Sequence, residues 1–173
     1  MKKIYGTLLG LLFFQTVSIA QTPSAVAILK PVYNKAAKTN KKVLLIFHAS
    51  WCGWCKKMDA SLTDATIKAA IDRNFEIAHL TVYENDAKKD LENPGGLALL
   101  TKLGGADQSL PYWFVLDAQG NKLANSEFAP HKNAGCPSAE AEVAYFIKVL
   151  QQTGTFTPAE LEKIKLRFRK NDT

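Results

Sequence analysis

The chain has 173 residues, of which 47% are hydrophobic and 22% are charged, and its formal net charge is +6 at pH 7. This length accommodates one domain built around a single core. Much of the positive charge lies near the end of the chain, where it fits the solvated side of a terminal helix and argues against nucleic acid as a partner. The basic residues concerned are Lys163, Lys165, Arg167, Arg169 and Lys170.

Residues 1–20 match the pattern of a secretory signal peptide, with two early lysines, an apolar run from about Thr7 and small residues ending at Ala20. The run is shorter than the ~20 residues that a spanning helix needs, and Gln15 interrupts it. Cleavage near Ala20 is therefore favoured over the alternative, an uncleaved membrane anchor. We expect a periplasmic or secreted protein whose folded part is residues 21–173.

The first half of this folded part predicts helix, strand, helix, helix and strand. A short, wholly apolar run with β-branched members indicates a central strand that is buried on both faces. Proline in a first turn and apolar side chains spaced four apart indicate the helices around it. The predicted bounds are a helix over 31–38, the strand 43–47, a helix following Cys55, a helix starting at Thr63 or Asp64, and a strand over 75–82.

The second half begins with a polar, Gly-rich segment over 84–108, with a short helix predicted over 97–102. A hairpin follows, with strands over 112–116 and 122–128 around a turn at Gly120. An apolar stripe at helical spacing then predicts a helix capped by Ser138 and ended by Gly154. A capping box at residues 157–160 starts a last helix, although residues 164–168 also alternate like a strand.

This order of elements predicts an α/β fold, with a central mixed β-sheet flanked by helices on both faces. The core of the domain is expected over residues 26–153. The helix over 157–170 is then an additional C-terminal extension.

Three cysteines are present, and two of them, Cys52 and Cys55, lie directly after the buried strand at the start of a helix. Thiols attack disulfides only as thiolates, and a helix N-terminus stabilises that anion. This placement predicts that Cys52 is the nucleophile and Cys55 the resolving thiol. Trp51 offers an apolar platform for a polypeptide substrate.

Two other interpretations of the cysteine pair remain. It could be half of a zinc site, but such a site requires a second pair at short spacing, and Cys136 is the only other cysteine. It could also be a structural disulfide, although a bridge this short constrains little of the chain. Redox chemistry is favoured over both.

Residues 47–58, Phe-His-Ala-Ser-Trp-Cys-Gly-Trp-Cys-Lys-Lys-Met, resemble the active-site segment of the thioredoxin superfamily. The resemblance is strongest to its exported branch with a Trp-Cys-Gly-Trp-Cys motif, to which the C-terminal domain of the transmembrane reductase DsbD is related. Residues 110–117, Leu-Pro-Tyr-Trp-Phe-Val-Leu-Asp, resemble the family's cis-proline and the strand that follows.

The resemblance implies a thioredoxin fold and a thiol–disulfide oxidoreductase that needs no cofactor and no metal. It implies that Pro111 is cis and lies against the cysteine pair, while the backbone of Leu110 pairs with an extended substrate. Trp51, Gly53 and Trp54 complete the expected substrate-binding residues. The expected partners are protein disulfides or dithiols and an upstream membrane electron donor or acceptor, and the protein is expected to be a monomer.

Two departures from thioredoxin limit these expectations. Ile46 occupies the position, six before the first cysteine, where thioredoxin has a buried acid that accepts the proton of the second cysteine. Gly53-Trp54 replaces the Gly-Pro of thioredoxin, so its reducing potential does not carry over. The direction of electron flow therefore stays open, and the longer segment 84–108 is expected to reshape the substrate groove.

Copper(I) binding by a thioredoxin-fold metallochaperone is the second hypothesis, because soft thiolates favour that ion. Cys52 and Cys55 would hold the ion, with His48 or His131 as a further ligand. A redox-linked chaperone with little turnover is a third hypothesis. Structural roles are favoured over functional ones for His79, for His48 and for the unpaired Cys136.

Overall fold

The computed structural model describes residues 21–172, so the predicted signal peptide at residues 1–20 lies outside the described part. Within that part, no helix is long and apolar enough to cross a membrane. The helices are α1 Ala25–Thr39, α2 Gly53–Leu62, α3 Lys68–Asn74, α4 Gly96–Leu103, α5 Glu140–Thr153 and α6 Pro158–Arg169. The strands are β1 Lys42–His48, β2 Phe75–Thr81, β3 Tyr112–Leu116, β4 Lys122–Asn125, β5 Glu127–Ala129 and β6 Lys132–Asn133.

Four strands form a mixed sheet in the order β2-β1-β3-β4. β1 is parallel to β2 and antiparallel to β3, and β3 is antiparallel to β4. The central strands β1 and β3 are almost entirely buried, as their continuous apolar sequences predict. β5 and β6 pair separately as a small hairpin beside this sheet.

Alternating side chains of the sheet point into two cores. On one face, Leu44 and Ile46 pack with residues of α2, α3, α5 and α6. On the other face, Val43, Leu45 and Phe47 pack with α1 and α4. The predicted mixed sheet with helices on both faces is therefore confirmed.

The predicted start of the first helix at Pro31 is wrong, because α1 begins six residues earlier at Ala25. The side chain of Ser24 accepts a hydrogen bond from the Ala27 N–H and caps the helix. Proline inside a helix removes one backbone hydrogen bond. Both Pro31 and Ala27, whose carbonyl loses its partner, are exposed to solvent.

Two further predicted bounds are corrected. The helix expected from Thr63 or Asp64 begins at Lys68, because the Asp64 carboxylate accepts hydrogen bonds from the Thr66 N–H and hydroxyl and holds a turn. The strand expected over 122–128 is divided at Ser126, whose backbone carbonyl accepts from the Ala134 N–H next to β6. The chain thereby leaves the main sheet and enters the small hairpin.

The C-terminal extension is helical, so the capping box predicted it correctly and the strand-like alternation did not. Thr157 accepts a hydrogen bond from the Glu160 N–H, and the Glu160 carboxylate accepts one from the Thr157 N–H. Ile164 and Phe168 of α6 are fully buried in the core that also contains α2. The extension is therefore part of the fold and supports the helix that follows the cysteine motif.

The preceding helix, α5, starts at Glu140 rather than directly after Ser138. The Glu142 carboxylate accepts from the N–H groups of both Ser138 and Ala139, and so satisfies two donors at the helix start. The end of α5 before Gly154 is as predicted.

Candidate active site

Cys52 and Cys55 are joined by a disulfide at the N-terminus of α2. Cys52 is the N-cap residue, and its Sγ lies 3.1 Å from the backbone N–H of Cys55, which donates to it. This contact is the local feature that stabilises a thiolate at Cys52 when the bond is reduced.

Both cysteines are buried in the disulfide form. Cys52 and Cys55 are each only 3% exposed, and they form a small apolar cluster with Ala49. Leu110 packs against this cluster from the segment that precedes β3. The disulfide-bonded pair is therefore almost inaccessible to solvent.

The two tryptophans of the motif, by contrast, are exposed, Trp51 by 55% and Trp54 by 46%. The Trp51 indole donates to the backbone carbonyl of Tyr83 at 2.8 Å, which fixes the ring beside the cysteine motif. The Lys57 ammonium lies 4.5 Å from the centre of the Trp54 ring. Large, oriented apolar surfaces therefore flank the cysteines.

The Leu110–Pro111 peptide bond is cis, which is the isomer that the resemblance implies. A cleft of about 300 Å³ is lined by Trp54, Leu110 and Pro111 together with residues after β6. The Asn133 side chain donates to the carbonyls of Ser109 at 2.7 Å and Pro111 at 3.0 Å. Through Asn133, the β5–β6 hairpin is therefore hydrogen-bonded to the backbone on both sides of Leu110.

Glu84 is a residue of this site that the sequence analysis missed. It is 3% exposed, and its carboxylate accepts hydrogen bonds from the N–H and hydroxyl of Ser50. Glu84 follows β2, and the cysteine loop follows β1, so the parallel pairing brings both to one edge of the sheet. The sequence signal that could have identified Glu84 is its position as an acidic residue shortly after the second predicted strand.

His48, His79 and Asp59 form a polar cluster on the α2 side of the sheet. The rings of His48 and His79 are 5.1 Å apart, and His79 Nε2 is 2.8 Å from Asp59 Oδ1. His48 Nε2 is 3.1 Å from the Thr81 hydroxyl. Burial and then the nearby His79 lower the pKa of His48, although Asp59 and Glu84 act in the opposite direction.

Cys136 is free and buried. Burial raises the pKa of its thiol to about 12. The Asn171 amide lies 3.4 Å from its sulfur and 3.0 Å from the Ser61 hydroxyl, and the Asn171 carbonyl accepts from Lys57 at 3.0 Å. Cys136 therefore belongs to a buried polar contact between the C-terminus and α2, and it is not poised as a thiolate.

His131 occupies the turn between β5 and β6, where its backbone adopts a positive φ. Within residues 21–172, no group of three or more histidine, cysteine, aspartate or glutamate side chains is arranged to hold a metal ion. The structure therefore does not bring His131 into a metal-ligating cluster with the cysteine pair.

Residues 29–127 match the sequence profile of the Thioredoxin-like domain family. The thiol:disulfide interchange protein DsbD of Ralstonia nicotianae is 28% identical over 142 residues, which cover 82% of this chain and 20% of that protein. A protein disulfide-isomerase of Hordeum vulgare is 32% identical over 73 residues, which cover 42% of this chain and 14% of that protein. The chain thus spans a fifth or less of these two relatives.

Among solved structures, a disulphide isomerase from Xylella fastidiosa superposes with a TM-score of 0.54 at 19% sequence identity. The superposition covers 91% of this chain and 98% of that one. At this identity the likeness shows the fold alone.

Proposed function

The chain belongs to the thioredoxin-like domain family, and from this membership we propose that it is a thiol–disulfide oxidoreductase acting on exported proteins. The observation that carries the proposal is the Cys52–Cys55 disulfide at the N-terminus of α2, with Leu110 of the cis-proline segment packed against it. Relatives named as a disulfide isomerase and a thiol:disulfide interchange protein support the same class of reaction.

In the reducing direction, the Cys52 thiolate attacks one sulfur of a substrate disulfide, and the other substrate sulfur leaves as a thiolate. The Cys55 thiol then loses its proton and attacks Cys52 Sγ, which forms the 52–55 bond and releases the second substrate sulfur. Two electrons pass from the dithiol to the substrate. The Cys55 N–H that donates to Cys52 Sγ favours the first thiolate at Cys52.

The substrate surface consists of Trp51, Gly53 and Trp54 on one side of the cysteines and of Leu110 and Pro111 on the other. A Cβ atom at Gly53 would meet no atom within 4 Å, so this part of the surface is open to a polypeptide. An extended substrate would pair with the backbone of Leu110 as an added strand. The exposed indoles would contact its apolar side chains.

Export places the reaction where disulfides persist, in the periplasm or outside the cell. The leader pattern of residues 1–20 supports this location. A membrane protein would supply or accept the electrons, and the protein would act as a monomer on protein disulfides or dithiols.

Reduction of insulin by the protein with excess dithiol tests this proposal. Cys52→Ser should reduce the rate to the uncatalysed background, and Cys55→Ser should accumulate mixed disulfides at Cys52 because the release step is lost. Cys136→Ser is the matched control and should retain the rate, since its thiol is buried and unactivated. The proposal is contradicted if the purified wild-type protein holds one copper ion and does not reduce insulin, while the Cys52→Ser variant holds no copper. That result would support the metallochaperone hypothesis instead.

A further inference from the structure

Release of a bound substrate requires the Cys55 thiol to lose a proton, and Ile46, at the position where thioredoxin has its buried acid, cannot accept one. Ile46 is 1% exposed and packs among apolar side chains that include Met58 and Leu62. Cys55 itself is 3% exposed, so bulk water has little access to its sulfur. A low-dielectric site of this kind raises the cost of forming a thiolate.

A carboxylate approaches this region from the helix instead of the strand. Asp59 lies four residues after Cys55 on α2, and residues with that spacing are neighbours on one helix face, about 5–6 Å apart at Cβ. Its Oδ1 is 2.8 Å from Nε2 of His79. His79 pairs in register with Ile46, so the two side chains lie side by side on the same face of the sheet.

The hydrogen bond also determines the state of the imidazole. A carboxylate is only an acceptor, so His79 Nε2 carries the proton and donates it to Asp59. In the neutral ring, Nδ1 is then a free base. The side chains of His79 and Asp59 are 34% and 44% exposed, so the pair can exchange a proton with solvent, while Asp59 lies one helical turn from Cys55.

Other polar groups lie close to the Asp59–His79 pair, on the elements that pack around it. His48 of β1 lies beside the His79 ring and is hydrogen-bonded to Thr81, and burial followed by the nearby His79 lowers its pKa. Glu84 after β2 adds negative charge near His48. The nearby thiol of Cys136 stays protonated because burial raises its pKa to about 12. The lowered pKa makes His48 a weaker base than a free imidazole, and the Glu84 carboxylate is engaged by Ser50.

We propose that the Asp59–His79 pair accepts the proton of the Cys55 thiol in the release step, in place of the acid that Ile46 replaces. This inference rests on the proposed function. The proton passes from Cys55 to the pair as the Cys55 sulfur attacks Cys52 Sγ. The substrate sulfur leaves with the electron pair of the broken mixed disulfide, and the pair later returns its proton to solvent. Asp59 and His79 act through this proton transfer and do not contact the substrate.

Reaction of the reduced protein with dithiobis(nitrobenzoate) separates the two thiol steps. Cys52 attack releases one nitrothiobenzoate and forms the mixed disulfide, and Cys55 attack releases the second. Acid quench and mass measurement follow the mixed disulfide with time. Asp59→Asn and His79→Gln should slow the second step about 10-fold or more at pH 7 and leave the first step unchanged, because only Cys55 depends on the pair.

The pH profile distinguishes this role from a structural one. As the pH rises and hydroxide can deprotonate the Cys55 thiol directly, the variants should approach the wild-type rate of the second step. Asp59→Glu should retain most of the rate, and Asp72→Asn, which removes an exposed carboxylate on α3, should behave as wild type. A wild-type second step in both Asp59→Asn and His79→Gln at pH 7 excludes the inference, as does a loss that is the same at every pH. If the wild-type protein itself does not reduce insulin, the proposed function is refuted instead.

Discussion

The Glu84 carboxylate accepts two hydrogen bonds from Ser50, one from its backbone N–H and one from its hydroxyl, two residues before Cys52. The preceding residue of the same corner, Tyr83, accepts the Trp51 indole N–H through its carbonyl. Consecutive residues after β2 therefore hold consecutive residues of the cysteine loop. The position of the loop depends on this corner as well as on α2.

Glu84→Ala should destabilise the protein by about 1.5–3 kcal/mol, because it removes hydrogen bonds to a charged acceptor at a buried site. It should also slow insulin reduction, since Ser50 and the loop that carries Trp51 lose their anchor. Urea unfolding gives the stability change, and turnover at fixed protein concentration gives the rate.

Glu162→Ala is the control for that change. Glu162 pairs with Lys165 on the exposed side of α6 at 3.5 Å, so its loss should alter stability by less than about 0.5 kcal/mol. Equal effects of the two substitutions would show that the Glu84–Ser50 contact contributes nothing to the loop.

Cys136 should resist alkylation in the folded protein. Burial raises the pKa of its thiol to about 12, so almost no thiolate is present at pH 8. With the 52–55 bond intact, iodoacetamide should leave the folded protein unmodified and should add one group in urea, as measured by mass. Rapid modification of Cys136 without denaturant would contradict this and would identify it as a third reactive thiol.

The sequence predicted the elements around the cysteines well, because their signals are local. The apolar run of β1, the spacing of the cysteine motif and the capping box of α6 each lie within a few adjacent residues. Contacts between distant residues had no such signal. Ser50 and Glu84 are 34 positions apart, and Ser61 and Asn171 are 110 apart. Such pairs become neighbours only once the sheet is formed.

Local competition accounts for the misplaced helix starts. Ser24 caps α1 well ahead of Pro31, and the side chain of Asp64 holds a turn that delays α3. Proline is common in a first turn, but it does not define one. A side-chain acceptor in the correct position is the stronger determinant of where these helices begin.

Glu160→Gln should remove part of the acid sensitivity of folding. The hydrogen bond from Arg73, followed by that from the Thr157 N–H, lowers the pKa of Glu160 from 4.5 to about 2. Because the pKa of Glu160 is lower in the folded state, its ionised carboxylate stabilises the fold fully at pH values above 4.5, the pKa in the unfolded state. This stabilisation is lost as the pH falls towards about 2. Urea midpoints at several pH values should therefore differ between wild type and variant near neutrality and converge near pH 2. Curves that stay parallel throughout this range would show that the Arg73–Glu160 contact does not form in solution.

Phe168→Ala tests whether the C-terminal extension is part of the cooperative fold. Phe168 is fully buried, and its ring centre lies 4.8 Å from that of Phe146 on α5, in the core that also contains α2. Removing the ring should cost about 3–5 kcal/mol, since the cavity is closed in by α2 and α5 and cannot collapse freely. Leu166→Ala on the same helix removes a side chain that is 55% exposed and should change stability by no more than about 0.5 kcal/mol. Urea unfolding monitored by tryptophan fluorescence measures both. If the two substitutions have equal effects, α6 folds independently of the domain and cannot support the helix that carries Cys55.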